Sequence, residues 1–109
     1  VLNELVLMTG MGILINESGV PVDEPVRGVC EMLGFDPLYL ANEGKLLLAV
    51  GSEEEEVILD ILRSDPLGRE SAVIGEISGT ANKMVNLKTS AGGSRILDMP
   101  SGVQLPRIC

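Results

Sequence analysis

The apolar residues of this 109-residue chain occur in short segments that glycines and prolines separate. The longest continuous apolar run covers only residues 46–50, which is far too short to span a membrane. Short segments of this kind predict several short helices and strands, and the chain length is typical of one domain. The spacing of the apolar residues predicts the element order α-β-α-β-α-β-β-β.

The first two predicted helices cover residues 1–9 and 24–33. Each is followed by a glycine, Gly10 and Gly34, at the position where a left-handed residue commonly ends a helix. Cys30 lies on the apolar face of the second helix. We therefore expect its thiol to be buried in the core rather than reactive.

The third predicted helix begins at a capping-box pattern formed by Ser52 and Glu55 and ends before Asp65. Four consecutive glutamates, residues 53–56, raise the question of a metal site. Carboxylates in the first turn of a helix are stabilised by the backbone amide dipoles, so these residues need no cation. We interpret them as a helix start. The predicted apolar stripe of this helix consists of Val57, Ile58, Ile61 and Leu62.

Five segments are predicted to be strands: residues 12–16, 45–50, 72–77, 83–89 and 95–99. The run at 45–50 has the continuous apolar character of a buried strand. The late strands follow one another through short turns, which favours antiparallel pairing. The sequence therefore predicts an α+β two-layer sandwich, with a mostly antiparallel sheet and helices on one face.

Composition excludes several classes of function. Eight basic and sixteen acidic residues give a net charge of −8, and Phe35 and Tyr39 are the only aromatic residues. Direct binding to nucleic acid or to anionic membranes is therefore disfavoured. The chain has no histidine, so catalytic pairs with histidine are excluded within it. Its two cysteines do not form a disulfide framework, and we expect a cytoplasmic location.

Glycine-rich residues 89–94 do not match a nucleotide-binding P-loop, because they lie between two predicted strands instead of opening a helix. We interpret them as a turn. The connection at 41–45 differs, since it places the carboxylate of Glu43 immediately before an apolar segment. Loops on rigid scaffolds often carry catalytic groups, although a plain solvated loop has the same composition. The spacing alone leaves both interpretations open.

Cys109 places a thiol on the last residue of the chain. Pro106 stiffens the backbone before it and favours extended structure, so residues 100–109 are interpreted as an arm. Such an arm reaches roughly 30 Å, enough to carry a sulfur atom between two sites. The alternative is that Cys109 has no function, because any chain must end in some residue. Since the sequence starts without methionine or a helix cap, we expect it to be a piece of a larger protein.

Four segments resemble the C-terminal domain of the HypE family of nickel-iron hydrogenase maturation factors. They are residues 37–45 (PLYLANEGK), 65–70 (DPLGRE), 92–99 (GGSRILDM) and 104–109 (QLPRIC). The resemblance runs along essentially the whole chain. It implies membership of the PurM-like superfamily of aminoimidazole ribonucleotide synthetase. In such proteins the N-terminal domain binds ATP and the C-terminal domain is an α+β sandwich.

The resemblance also implies a chemistry. In this family the carbamoyltransferase HypF loads a carboxamide onto the terminal cysteine, and HypE uses ATP to dehydrate it to a thiocyanate. The cyano group then passes to iron on the HypC-HypD complex. By this resemblance Cys109 is the carrier and Glu43 the base. The ATP site and a lysine that assists the base lie in the N-terminal domain, so no cofactor or metal is expected on this chain.

The resemblance further implies domain limits of 1–99 for the PurM-like C-terminal domain and 100–109 for the arm, and a full-length homodimer. Two other interpretations stay open. One is the C-terminal domain of another PurM-like enzyme, a purine-biosynthetic cyclo-ligase or a selenophosphate synthetase, which has no use for Cys109. The other is an acidic docking module without catalysis, whose binding to a partner survives Cys109→Ser.

Overall fold

A computed structural model describes residues 1–79 and 83–98 of the chain. Within these residues the helices are α1 (Leu2–Thr9), α2 (Glu24–Leu33) and α3 (Glu55–Arg63), and the strands are β1 (Gly12–Asn16), β2 (Gly75–Ser78), β3 (Val85–Lys88) and β4 (Ser94–Ile96). Short 3₁₀ helices cover Glu17–Gly19, Pro37–Tyr39 and Pro66–Gly68. None of the helices in these described ranges is long and apolar enough to cross a membrane.

The described residues divide into two compact units. The first combines Val1–Pro21 with Leu48–Asp98 and contains α1, α3 and the four strands. The second contains Val22–Leu47, with α2 and the 3₁₀ helix Pro37–Tyr39. The predicted boundary between residues 99 and 100 lies outside the described residues and stays a prediction.

The strands form one mixed sheet in the order β2-β1-β3-β4. The central pair, β1 and β3, is parallel, and Ile13 pairs with Val85 in its register. Both outer strands pair antiparallel with their neighbours. The predicted α+β class and the mostly antiparallel sheet are therefore confirmed, with a parallel pair at the centre of the sheet.

One face of the central pair forms the core of the first unit. Ile13, Ile15, Val85 and Leu87 are all buried and occupy alternate positions, as side chains on the same face of a sheet must. Helix α1 packs near β1 and β3 and contributes buried Val6. The Asn3 side chain donates a hydrogen bond of 3.0 Å to the carbonyl of Leu97. This bond ties the helix to the segment that follows β4.

The predicted ends of the first two helices are confirmed. Gly10 and Gly34 both adopt the left-handed conformation, and their N–H groups donate to the carbonyls of Val6 and Cys30 respectively. Cys30 is only 3% exposed, as its place on the apolar face of α2 predicted. Its neighbours on that face are less buried, since Val26, Val29 and Leu33 are all exposed. Burial of the α2 face is thus confined to its central thiol.

The predicted strand at residues 45–50 is wrong. These residues have no strand conformation, and all of them are exposed. A strand needs a neighbouring strand to accept its backbone hydrogen bonds. No backbone hydrogen bond joins residues 45–50 to any part of the chain that the structure describes. The apolar run signalled a tendency to be buried, but it could not supply the pairing partner that a strand requires.

The predicted capping box of the third helix is also wrong. Helix α3 begins after Glu54, two residues later than the pattern requires, and its start has no side-chain cap. Glu55 and Glu56 do lie in its first turn, where the helix dipole favours them. The predicted apolar stripe is only half covered: Ile58 and Leu62 are partly buried, whereas Val57 and Ile61 are exposed.

Candidate functional site

Two residues were predicted to carry chemistry, and the structure describes one of them. Cys109 and the predicted arm, residues 100–109, lie outside the described residues. Glu43 lies in the second unit, in an irregular segment that follows the 3₁₀ helix Pro37–Tyr39. The site can therefore be built from the Glu43 segment, working forward from the turn that precedes it.

The turn before Glu43 begins at Asp36. Its carboxylate Oδ1 accepts a hydrogen bond of 2.9 Å from the N–H of Leu38, which caps the start of the 3₁₀ helix. The N–H of Tyr39 donates to the carbonyl of Asp36 at 3.0 Å. Pro37 suits the first position of such a turn, because its φ is already fixed and it has no N–H to leave unpaired. Aspartate followed by proline thus explains this turn locally.

The segment after the turn is held by a side chain. The Asn42 amide Nδ2 donates a hydrogen bond of 3.1 Å to the carbonyl of Leu40, two residues earlier. Gly44 follows with φ +75°, in the left-handed region. That conformation is readily available only to glycine, so the residue type at 44 is dictated by the backbone. Glu43 therefore lies between an anchored asparagine and a conformationally special glycine.

The Glu43 side chain itself is exposed. Among residues 1–79 and 83–98, no donor forms a hydrogen bond or ion pair with its carboxylate. A carboxylate in this state keeps all of its acceptor capacity for a proton or for an incoming group. The geometry is compatible with a general base and equally with a solvated loop, so the role of Glu43 needs support from beyond the geometry.

Other chemistry finds no support in the described residues. No group of three or more acidic or cysteine side chains within 1–79 and 83–98 could hold a metal ion. Of the predicted turn at residues 89–94, residues 89–93 link β3 to β4 and Ser94 begins β4; a 2.8 Å hydrogen bond from the N–H of Thr89 to the carbonyl of Gly93 closes the turn. A carboxylate oxygen of Glu17 accepts the N–H of Ser90 at 3.1 Å. A turn of this kind opens no helix toward a phosphate, so residues 89–93 do not form a P-loop.

The last described residue, Asp98, fixes where the following segment begins. The N–H of Leu97 donates to the carbonyl of Val85 at 2.8 Å, and the pairing of β4 with β3 is antiparallel. Asp98 therefore lies beside the start of β3, at the end of the sheet where β1 also starts, because β1 and β3 are parallel.

Two contacts near these segments were not predicted from the sequence. An asparagine two residues after a leucine is a weak signal, because the contact of its amide with the Leu40 carbonyl depends on the local backbone conformation of residues 40–42. The hydrogen bond between Glu17 and Ser90 joins residues 73 positions apart and follows from the pairing of β1 with β3. No local pattern could have indicated it.

Comparison with known proteins places the chain in context. The model of the family described as AIR synthase related protein, C-terminal domain, matches residues 1–88. A carbamoyl dehydratase HypE from Azotobacter vinelandii is 49% identical over 108 residues, which cover 99% of this chain and 32% of that protein. The expected resemblance to HypE is thereby confirmed, and the chain spans about a third of the length of the curated relatives it matches.

Solved structures agree with the sequence comparison. The crystal structure of a HypE in complex with ATP matches with a TM-score of 0.88 and 41% identity, covering 99% of this chain and 33% of that one. A HypE-HypF complex matches with a TM-score of 0.84 and 41% identity, over 91% of this chain and 32% of that chain. At 41% identity, these proteins resemble this chain in amino-acid sequence as well as in fold.

Proposed function

Because this chain belongs to the AIR synthase related family, as its C-terminal domain, we propose that it forms part of an ATP-dependent carbamoyl dehydratase for hydrogenase maturation. The observation that carries the proposal is the 49% identity to a carbamoyl dehydratase across 99% of this chain. As the chain spans about a third of that relative, it supplies one part of the enzyme. ATP binding belongs to the part that this chain does not contain.

The reaction assigned to the whole protein converts an S-carboxamide on Cys109 to a thiocyanate. The amide oxygen has to leave with a phosphoryl group, because oxide is a poor leaving group. Transfer of a phosphoryl group from ATP to this oxygen, with release of ADP and of one nitrogen proton, gives an O-phosphorylated imidate. A base then removes the remaining nitrogen proton, the electron pair of that N–H bond forms the third C–N bond, and the C–O bond breaks. This gives a thiocyanate and phosphate. Cys109 carries the group throughout and is neither oxidised nor reduced.

Glu43 is the proposed base. Its carboxylate is exposed and has no donor among the described residues, so a carboxamide nitrogen could reach it. Both proposed residues are carried by segments of the resemblance, Glu43 by residues 37–45 and Cys109 by residues 104–109. General-base catalysis requires the base to lie within hydrogen-bond reach of the proton it removes. We propose that the carboxamide on Cys109 is presented to Glu43 during the reaction.

The proposal includes partners and a place of action. A HypE structure is known in complex with HypF, and we infer that HypF loads the carbamoyl group onto Cys109 here as well. The HypC-HypD complex is the proposed acceptor of the cyano group, and the full-length protein a homodimer. We also propose a cytoplasmic location, because Cys30 is a free thiol and a carrier thiol at Cys109 requires reducing conditions.

The experiment that tests the function is intact mass spectrometry with peptide mapping on the full-length protein. HypF, carbamoyl phosphate and ATP are supplied, and the mass of the Cys109 peptide is followed. We expect a carbamoyl adduct on Cys109 that then loses the mass of one water. A Cys109→Ser variant is the control and gains no adduct. If the wild-type protein gains none either, with a HypF active on another HypE, the proposed function is wrong.

Replacing Glu43 tests its role separately. In Glu43→Gln the carbamoyl adduct should form at the normal rate but should lose water at least about a hundredfold more slowly, because general bases contribute that order of magnitude. Glu31→Gln is a matched control, since Glu31 is an exposed glutamate in the same unit. Thiocyanate formation at the wild-type rate in Glu43→Gln would dismiss Glu43 as the base while leaving the carrier role of Cys109 intact.

A further inference from the structure

We propose that Asn42 is a positioning residue that holds Glu43 in place for proton removal. The inference rests on the proposed function, because it takes Glu43 as the base. It is carried by one contact, the hydrogen bond of 3.1 Å from the Asn42 amide Nδ2 to the carbonyl of Leu40. The Asn42 amide nitrogen is thereby directed back along the chain toward Leu40.

The Asn42 bond is the final one in a series of local hydrogen bonds. The series begins at the Asp36 carboxylate, which binds the N–H of Leu38, and continues with the N–H of Leu40 to the carbonyl of Pro37 at 3.3 Å. Asn42 adds the next bond, to Leu40. Within the described ranges no backbone hydrogen bond involves residues 41–50. Asn42 is thus the last anchor before Glu43.

The position of this anchor determines what it can do. A side chain that binds the carbonyl two residues earlier closes a small ring through Ala41 and restricts the backbone immediately before Glu43. Gly44 sets the direction immediately after it, with φ +75°. Without the Asn42 donor the Glu43 backbone has more conformations available. The share of molecules with the carboxylate in reach of the carboxamide then falls, and small misplacements lower catalytic rates strongly.

The kinetic test uses the pre-carbamoylated full-length protein in a single turnover. Asn42→Ala and Asn42→Asp both remove the donor, and aspartate does so without changing the shape of the side chain. We expect both variants to slow the loss of water about tenfold while carbamoylation of Cys109 and the thermal unfolding midpoint stay unchanged. Lys45→Ala is the control, because Lys45 is exposed in the same loop. This variant should lose water at the wild-type rate.

A double-mutant cycle separates positioning from an independent role. If Asn42 acts only through Glu43, Asn42→Ala should have no further effect in a Glu43→Gln protein. Multiplied effects of the two changes would overturn the proposal, and so would a wild-type rate in Asn42→Ala. If Glu43→Gln reacts at the wild-type rate, the base assignment fails, and the positioning role assigned to Asn42 fails with it.

A measurement on the 109-residue chain itself does not depend on the reaction. In ¹⁵N relaxation experiments, Asn42→Ala should lower the heteronuclear NOE of the Glu43 amide and leave that of Leu47 unchanged. Equal heteronuclear NOE values of the Glu43 amide in the wild-type chain and in Asn42→Ala would overturn the anchoring role of Asn42, whatever the dehydratase assay gives. A lowered NOE combined with an unchanged rate of water loss would show that the anchor exists but does not serve Glu43.

Discussion

Gly75 in β2 faces the backbone of β1 so closely that a side chain has no space. A Cβ built on Gly75 would meet the carbonyl oxygen of Leu14 and lie 2.9 Å from the Cα of Ile15. Both atoms belong to the central strand of the sheet, which cannot move without disturbing the core pair β1 and β3. The requirement for glycine at this position is therefore steric.

We expect Gly75→Ala to destabilise the chain by about 1–3 kcal/mol, the usual cost of forcing extra atoms into a packed site. Gly28→Ala is the matched control: Gly28 lies inside α2, where an added Cβ meets nothing within 4 Å. Alanine should there be neutral or stabilise by about 0.5–1 kcal/mol, because it favours the helix. Denaturant unfolding of both variants measures the difference, and equal stability of the two would contradict the steric argument.

Most elements could be predicted from the sequence, because their signals are local. The end of α2 needed only Gly34, and β1 only a short apolar segment between turns. The run at 45–50 misled because apolar character does not specify a pairing partner. The parallel pairing of β1 with β3 was also out of reach, since it joins segments far apart in the chain. At the candidate site, the sequence indicated Glu43 as a candidate base, but it did not predict the hydrogen bond from Asn42 to Leu40.

The segments before and after α3 differ in side-chain capping. The Asp65 carboxylate accepts the N–H of Leu67 at 2.8 Å and starts the 3₁₀ helix Pro66–Gly68, whereas Ser52 lies upstream of an uncapped helix start. Asp65→Ala should therefore cost about 1 kcal/mol, a typical value for a lost cap. Ser52→Ala should change the free energy of unfolding by less than about 0.5 kcal/mol. If Ser52→Ala costs as much as Asp65→Ala, a capping box does form in solution.

At the scale of the whole molecule, we propose that the chain supplies a carrier thiol, Cys109, and a base, Glu43, and that ATP is bound elsewhere in the enzyme. The glycine-rich residues 89–93 join β3 to β4 and do not open a helix. The net charge of −8 also opposes an anionic ligand. Dehydratase activity should consequently require the remaining two thirds of the protein, as the coverage of its relatives suggests.

We therefore predict that the 109-residue chain neither binds nor hydrolyses ATP. Isothermal titration calorimetry with ATP and magnesium should give no heat beyond dilution, and a phosphate-release assay should give no turnover. The full-length protein is the positive control. Tight ATP binding by the 109-residue chain would mean that its own residues form a nucleotide site. The assignment of ATP binding to another part of the enzyme would then be wrong.

The pairing of β1 with β3 also affects when the domain can fold during synthesis. Ile13 and Val85 are direct partners in the sheet although residues 14–84 lie between them. During synthesis β1 leaves the ribosome before β3, and its apolar residues stay unpaired until β3 has followed. Contacts of such long sequence separation slow folding, because a large loop must close before they form. The core of this domain is thus completed only after β3 has been synthesised.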